Sequence, residues 1–181
     1  ENGRAHFMTM RFDREGGSTK HHIQTLCAMK HFDYNALTSY SYEQLFQTMR
    51  ELRMPYPAAE QMFRRMVFNV LARNCDDHTK NFSFRLKKDG AWELSPAYDI
   101  CHAYQPKHAW VSQHILSING KRTDITKDDL IIIGKSIRNK KASEIISDIN
   151  DKVSNWKKYA NNVNVEPKLR DEIANTLLNL K

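Results

Sequence analysis

The strongest amphipathic pattern in the chain lies between residues 57 and 71. Apolar residues recur there at one- and four-residue steps, at Met62, Phe63, Met66, Val67, Val70 and Leu71. This spacing places them on one face of a helix and predicts that the face is buried. Pro57 suits the first turn of that helix, where no amide hydrogen is needed. The sequence therefore predicts a central core helix that leads directly to Asn74.

A pattern with a period of two follows between residues 82 and 94. Its alternating apolar residues are Phe82, Phe84, Leu86, Trp92 and Leu94. Asp89-Gly90 separates the two runs and favours a tight turn, because glycine readily adopts a positive φ. We expect a β-hairpin, whose open end would bring Asn81 close to Asp99.

The rest of the chain is mostly helical in pattern. Ser41 with Gln44, and Thr126 with Asp129, have the spacing of capping boxes that begin helices, and Gly134 is expected to end the second helix early. Further helices are predicted at residues 23–29, 143–159 and 167–180, and strand-like runs at 5–10 and 115–118. The predicted fold class is α+β, mainly α, with residues 1–181 in a single domain.

Composition and charge add a basic surface to this picture. Hydrophobic residues make up 40% of the chain and charged residues 27%, as in ordinary folded proteins. The net charge is +7, and most of the excess lies after residue 100. The cluster at 135–141 either attracts nucleic acid or an acidic partner, or forms a solvated helix face.

The sequence does not indicate a membrane protein or a disulfide framework. No apolar run approaches the roughly 20 residues of a membrane-spanning helix. The three cysteines, Cys27, Cys75 and Cys101, lack a C-x-x-C spacing. They are expected to be reduced thiols in a cytoplasmic protein.

Polar groups that suit phosphoryl transfer concentrate at the open end of the predicted hairpin. One carboxylate, Asp99, and one amide oxygen, from Asn81, are ligands that Mg²⁺ accepts beside water and phosphate. A separate carboxylate, Asp76, would orient or deprotonate an attacking hydroxyl. Lys80 would neutralise charge on the transferred group. The alternative is a polar hairpin with a charged loop and no catalytic role.

The order of these residues resembles the HipA-type serine/threonine kinases, the toxins of bacterial toxin–antitoxin pairs. That family carries D-x-H-x-K-N, a hairpin and then L-x-P-x-Y/F-D, and residues 76–81 and 94–99 match both motifs. Residues 10–14, Met-Arg-Phe-Asp-Arg, resemble the family's hinge strand E-R-F-D-R. Together the matches run in the family's order and approximate spacing.

The resemblance implies a protein-kinase-like C-terminal lobe that acts as an ATP- and Mg²⁺-dependent serine/threonine protein kinase. Asp76 would be the catalytic aspartate, and Asn81 and Asp99 would bind Mg²⁺. The implied nucleotide-binding residues are Met10, Arg11, Phe12, His78, Thr79, Lys80, Asn81, Tyr98 and Asp99. The implied partners are a HipB-like DNA-binding antitoxin, through which the protein would contact nucleic acid indirectly, and a protein substrate. An aminoacyl-tRNA synthetase is the family's best-known type of substrate.

The chain departs from the family pattern in three ways. Met10 stands where the family often has Glu, and Asp77 adds a negative charge that would either repel phosphate or point to solvent. No glycine-rich phosphate loop and no strand lysine precede Met10. We therefore expect residues 1–181 to be part of a longer protein, and to be inactive without its N-terminal lobe.

Three other functions remain open at this point. One is a kinase that acts on a lipid or another small molecule. The spacing of Asp76, His78 and Asn81 is also similar to that of phosphoinositide-type kinases. A non-catalytic module that binds nucleic acid or an antitoxin would use the basic C-terminal part. A metal-dependent phosphohydrolase would need a second acidic motif, which the sequence lacks.

Overall fold

The computed structural model describes residues 6, 8–16, 19–36 and 38–180. Its helices are α1 (Leu26–Met29), α2 (Tyr42–Glu51), α3 (Tyr56–Leu71), α4 (Lys127–Ser136), α5 (Ala142–Ser154), α6 (Trp156–Asn162) and α7 (Pro167–Ala174). Its strands are β1 (Arg14–Glu15), β2 (Thr19–Lys20), β3 (His22–Thr25), β4 (Ser83–Leu86) and β5 (Trp92–Leu94). The predicted α+β, mainly helical fold is confirmed.

The core is built around α3, as the sequence predicted. All six apolar residues of its predicted inner face are fully buried. They pack against α2 and α5, and the same core takes in Phe84 from β4 and Leu116 from the segment before α4. Because α3 is rigid and buried and ends at Leu71, it fixes the starting point of the polar loop that follows it.

The strands form a small antiparallel sheet in the order β3-β4-β5. Phe84 is in register with Gln24 on one side and with Leu94 on the other. The predicted hairpin of β4 and β5 is confirmed, with Gly90 at φ +82° in its turn. The prediction of a helix over residues 23–29 was wrong in its first half, because β3 pairs with β4 there and only the second half is α1.

Local signals correctly predicted the starts of α2, α4 and α7, but not the start of α6 or all of the helix ends. Both capping boxes are present, at Ser41 with Gln44 and at Thr126 with Asp129. Gly134 does not end α4, which continues to its C-cap at Ile137. The predicted helix over 143–159 divides into α5 and α6, and residues 177–180 lie beyond the end of α7.

The two predicted outer strands are not seen as strands. Residues 115–118 make only isolated bridges, one of them between Ser117 and Ser41. Of the predicted strand at 5–10, residues 6 and 8–10 have no regular structure, and residues 5 and 7 lie outside the described part of the chain. Within the described ranges, no helix is both long and apolar enough to cross a membrane.

Gly134 allows α4 to approach α5 closely. A Cβ atom at this position would lie 2.5 Å from Cβ of Ala142, and 3.4 Å from the ring of Phe63. Overpacking of this kind costs about 1–3 kcal/mol, against a gain of up to about 1 kcal/mol from the better helix propensity of alanine. We expect Gly134→Ala to lower the free energy of unfolding by about 1–2 kcal/mol in chemical denaturation.

The double variant Gly134→Ala/Ala142→Gly is the matched control. It removes the methyl group that the new one would meet, so it should recover part of the lost stability. Unchanged stability of Gly134→Ala alone would contradict the close approach of the two helices.

Candidate active site

The loop of residues 74–81 is attached to the fold on both sides. At its start, the amide of Cys75 donates to the carbonyl of Ala103, at 3.0 Å. Near its end, the carbonyl of Thr79 accepts from the amide of Cys27, at 3.1 Å. The central helix therefore delivers this loop, and two neighbouring segments hold it in place.

The carboxyl group of Asp76, in this loop, is partly accessible to solvent, with 39% of its side chain exposed. Its nearest cationic candidate is His78, with Nε2 3.8 Å from Oδ1. Partial burial raises the pKa of Asp76; the charges of Asp99 and Asp77 add to this rise, and His78 opposes it. A carboxylate that is accessible and has a raised pKa suits the role of a general base.

The structure brings together the segments of the two predicted metal ligands, Asn81 and Asp99. The hydroxyl of Tyr98 donates to the carbonyl of Lys80, at 2.7 Å, and so joins the segment of Asn81 to that of Asp99. The side-chain amide nitrogen of Asn81 donates to the backbone carbonyl of Asp76, at 2.9 Å. The side-chain oxygen of Asn81 takes no part in this bond. One exposed carboxylate and one amide oxygen fit Mg²⁺, a cation that keeps several water or phosphate ligands.

The described residues contain no group of three or more His, Cys, Asp or Glu side chains that would hold a metal ion. A dedicated protein cage, such as a structural zinc site, is therefore not formed by this part of the chain. A Mg²⁺ ion held by Asn81 and Asp99 would depend on ligands from water and from a bound nucleotide.

A cleft of about 560 Å³ opens beside Asp99. Residues 9–13 form one wall, and Ile23, Thr25, Ser83 and residues 96–99 form the rest. The rings of Phe12 and Tyr98 stack with centroids 5.8 Å apart, which joins the two walls. The volume is in the range of small-molecule sites. The predicted hinge residues Met10 and Arg11 therefore line the same cleft as Asp99.

The hinge segment differs from the expected strand. Residues 8–11 have no regular structure, residues 12 and 13 form a turn, and the first strand begins at Arg14. The guanidinium of Arg11 donates twice to the carboxylate of Asp13, at 2.8 and 2.6 Å. This ion pair stiffens the turn that carries Phe12 into the cleft.

Four predicted nucleotide-binding residues, His78, Thr79, Lys80 and Asn81, are not among those that line this cleft. The ammonium of Lys80 lies 3.5 Å from the ring centroid of Tyr34, in a cation–π contact, and the imidazole of His78 meets the edge of the same ring. Thr79 is buried. The side chain of Lys80 is exposed and would have to leave Tyr34 to reach a phosphate. The nucleotide-binding roles of all four residues stay predictions.

The expectation for Asp77 was wrong. Its side chain neither points to solvent nor faces the cleft, because it is 1% exposed and hydrogen-bonded on all sides. It accepts from the hydroxyl of Tyr42 at 2.9 Å, from Nδ1 of His114 at 2.8 Å and from the amide of Ile115 at 2.8 Å. These partners lie 35 or more residues away in sequence, so no local pattern marks them.

Sequence reasoning also missed the contact through which Arg65 holds the segment of Asp99. This residue lies on α3, and its guanidinium donates to the carbonyl of Ser95, at 2.7 Å. The hydroxyl of Ser95 in turn accepts from that of Ser83 on β4, at 2.8 Å. The core helix and the sheet therefore jointly fix the segment that carries Tyr98 and Asp99.

Comparison with known proteins gives the family of the chain and a similar fold. The family of HipA-like C-terminal domains matches residues 1–157. The chain belongs to this family. The structure is also similar to a chain in the solved complex of the toxin–antitoxin proteins HipA and HipB of Shewanella oneidensis MR-1 with operator DNA, at a TM-score of 0.64 and 21% identity.

That similarity covers 94% of this chain but 42% of the solved chain. The HipA-like domain described here therefore spans less than half the length of its structural relative. At this identity the likeness shows the fold alone. No curated protein matches the chain.

Proposed function

We propose that this HipA-like domain is the C-terminal lobe of an ATP- and Mg²⁺-dependent serine/threonine protein kinase of the HipA toxin type. The observation that supports the proposal is the bond from Tyr98 to Lys80, which joins the segment of Asn81 to that of Asp99 beside the cleft. The side chain of Asn81 in turn donates to the backbone of Asp76. Membership of the HipA-like family supports it independently.

In this proposal each residue has a chemical task that its surroundings support. Asp76 accepts the proton of a substrate serine or threonine hydroxyl, for which its raised pKa is suited. Asn81 and Asp99 hold Mg²⁺, which when bound neutralises charge on the nucleotide phosphates. Lys80, once released from Tyr34, approaches the phosphate side.

The nucleotide base would enter the cleft beside Phe12 and Tyr98. The stacked rings give an apolar surface that joins the two walls of the cleft, and residues 9–11 line one of these walls. Met10 in place of the family's usual Glu does little harm here, because backbone groups rather than its side chain would contact the base.

We expect residues 1–181 alone to show no phosphotransfer, and the full-length protein to show it. The chain has no glycine-rich phosphate loop before Met10, and Gly16-Gly17 follows the hinge segment instead. The measurement is transfer of radiolabelled phosphate from ATP to protein, with and without Mg²⁺. Clear turnover by residues 1–181 would contradict the need for another lobe, and a full-length protein that neither binds nor uses ATP would contradict the kinase.

The proposed partners follow from the family and from the complex that contains the structural relative. A HipB-like, DNA-binding antitoxin would bind the full-length protein and connect it indirectly to DNA, as the HipA–HipB–operator complex suggests. The protein substrate would be a translation component such as an aminoacyl-tRNA synthetase, in the cytoplasm. Phosphorylation of purified candidate proteins tests the substrate directly.

A further inference from the structure

A buried chain of hydrogen bonds connects the residues on either side of Cys75 and Asp76. The side-chain amide of Asn74 donates to Oδ1 of Asn69, at 3.0 Å, and the amide of Asn69 donates to the hydroxyl of Tyr42, also at 3.0 Å. That hydroxyl donates to Oδ2 of Asp77, at 2.9 Å. Asn74 and Asp77 are three residues apart, so the backbone of residues 74–77 closes this chain of hydrogen bonds into a ring. Asp76 lies on the backbone side of the ring.

The ring is anchored in the core, where it cannot easily shift. None of its four side chains is more than 2% exposed. Asn69 belongs to α3 and Tyr42 to α2, and both helices contribute buried residues to the core. Of the polar side-chain atoms in the ring, all but Oδ1 of Asn74 have a hydrogen-bond partner. Buried pairs of this kind resist displacement, since a shift leaves a donor or acceptor without a partner.

Asp77 also holds a second segment. Its Oδ2 accepts from Nδ1 of His114, and its Oδ1 from the amides of Ile115 and Leu116, at 2.8 and 3.4 Å. Burial lowers the pKa of His114, but the carboxylate of Asp77 outweighs this and raises it to about 10. A buried imidazolium–carboxylate pair therefore joins the loop of Asp76 to residues 114–116, which explains why those residues do not form the predicted strand.

Asp76 itself has no comparable support. Within the described ranges, no hydrogen bond holds its carboxylate, and the closest candidate for an ion pair is Nε2 of His78, at 3.8 Å. The direction of its side chain therefore depends on the backbone on either side of it, which is the stretch that the ring encloses.

We propose that Asp77 is a positioning residue for phosphotransfer, which fixes the backbone of Asp76 through Tyr42 and Asn69 and ties it to residues 114–116. This inference rests on the proposed kinase function. It assigns to the loop's second aspartate a role without contact to substrate, nucleotide or metal.

The first test measures kinetics of Asp77→Asn in the full-length protein. We expect kcat to fall about 10- to 100-fold, the usual loss when a supporting partner of a reactive group is removed. The KM for ATP should remain unchanged, because the ring does not contribute to the cleft. Tyr42→Phe, which removes one donor and keeps the aromatic packing, should lower kcat about 3- to 10-fold.

Asp129→Asn is the matched control. Asp129 is also buried and accepts from Asn119, Lys121 and Thr126, but none of these bonds reaches residues 74–81. It should lose stability as Asp77→Asn does and keep the wild-type kcat. Equal kcat losses in the two variants, or a raised KM for ATP in place of a lower kcat in Asp77→Asn, would overturn the proposal.

Hydrogen exchange separates this proposal from the kinase function itself. Asp77→Asn and Tyr42→Phe should increase exchange of the amides at 74–81, and Asp77→Asn also at 114–116, while Asp129→Asn leaves 74–81 protected. If the wild-type protein transfers no phosphate, the kinase proposal fails and exchange alone decides the positioning role. Tyr42→Phe keeps the pair of Asp77 and His114, so it tests the ring alone. Unchanged exchange at 74–81 in both variants, when they are folded, would overturn the positioning role.

Discussion

Asp76→Asn should abolish most phosphotransfer by the full-length protein while leaving ATP binding intact. General-base catalysis contributes about 10²–10⁴-fold to rate, and the amide cannot accept the proton that the carboxylate takes from the substrate hydroxyl. The side chain is partly exposed, and asparagine has almost the same shape, so the fold should tolerate the change. The measurement is a single-turnover rate of phosphate transfer together with the dissociation constant of ATP.

Asp89→Asn provides the control for a lost carboxylate, in the hairpin that follows the loop of Asp76. Asp89 lies in the turn between β4 and β5, where it accepts from the amide of Ala91 at 3.0 Å, at the end of the hairpin away from the loop of Asp76. Its replacement should leave the transfer rate unchanged. A wild-type rate in Asp76→Asn would contradict the assignment of the general base, whatever the effect on binding.

The sequence predicted those parts of the fold that depend on neighbouring residues. The inner face of α3 and the hairpin of β4 and β5 each follow from a periodic pattern within one segment, and both capping boxes from residues three positions apart. β3 was missed because four residues with two β-branched side chains fit a short helix as well as a strand. The pairing with β4, some 60 residues away, decides between them.

The meeting of the segments of Asn81 and Asp99 was predictable for the same reason. Asp76, Asn81 and Asp99 lie in two motifs joined by a hairpin, so their proximity follows from local structure. The partners of Asp77 come from α2 and from the segment of His114, and the bond from Arg65 to Ser95 crosses 30 residues. Such contacts are created by the packing of distant elements, and no spacing in the sequence announces them.

Asp99→Asn should weaken transfer through the metal rather than through the base. The change removes the charged oxygen of the proposed Mg²⁺ site and keeps one neutral oxygen ligand. We expect the transfer rate at physiological Mg²⁺ to fall on the order of 10²-fold, as when one electrostatic contact to the reacting group is lost. Asparagine is preferred to alanine here because Asp99 has φ +52°, a left-handed conformation that asparagine tolerates well.

The dependence on metal concentration distinguishes this variant from Asp76→Asn. If Asp99 binds Mg²⁺, a higher concentration of Mg²⁺ or Mn²⁺ should restore part of the activity of Asp99→Asn, because the site is weakened and not removed. The same increase should not restore Asp76→Asn, whose defect is the missing proton acceptor. An identical Mg²⁺ dependence in the wild type and in Asp99→Asn would exclude Asp99 as a metal ligand and leave the cleft without its proposed cation.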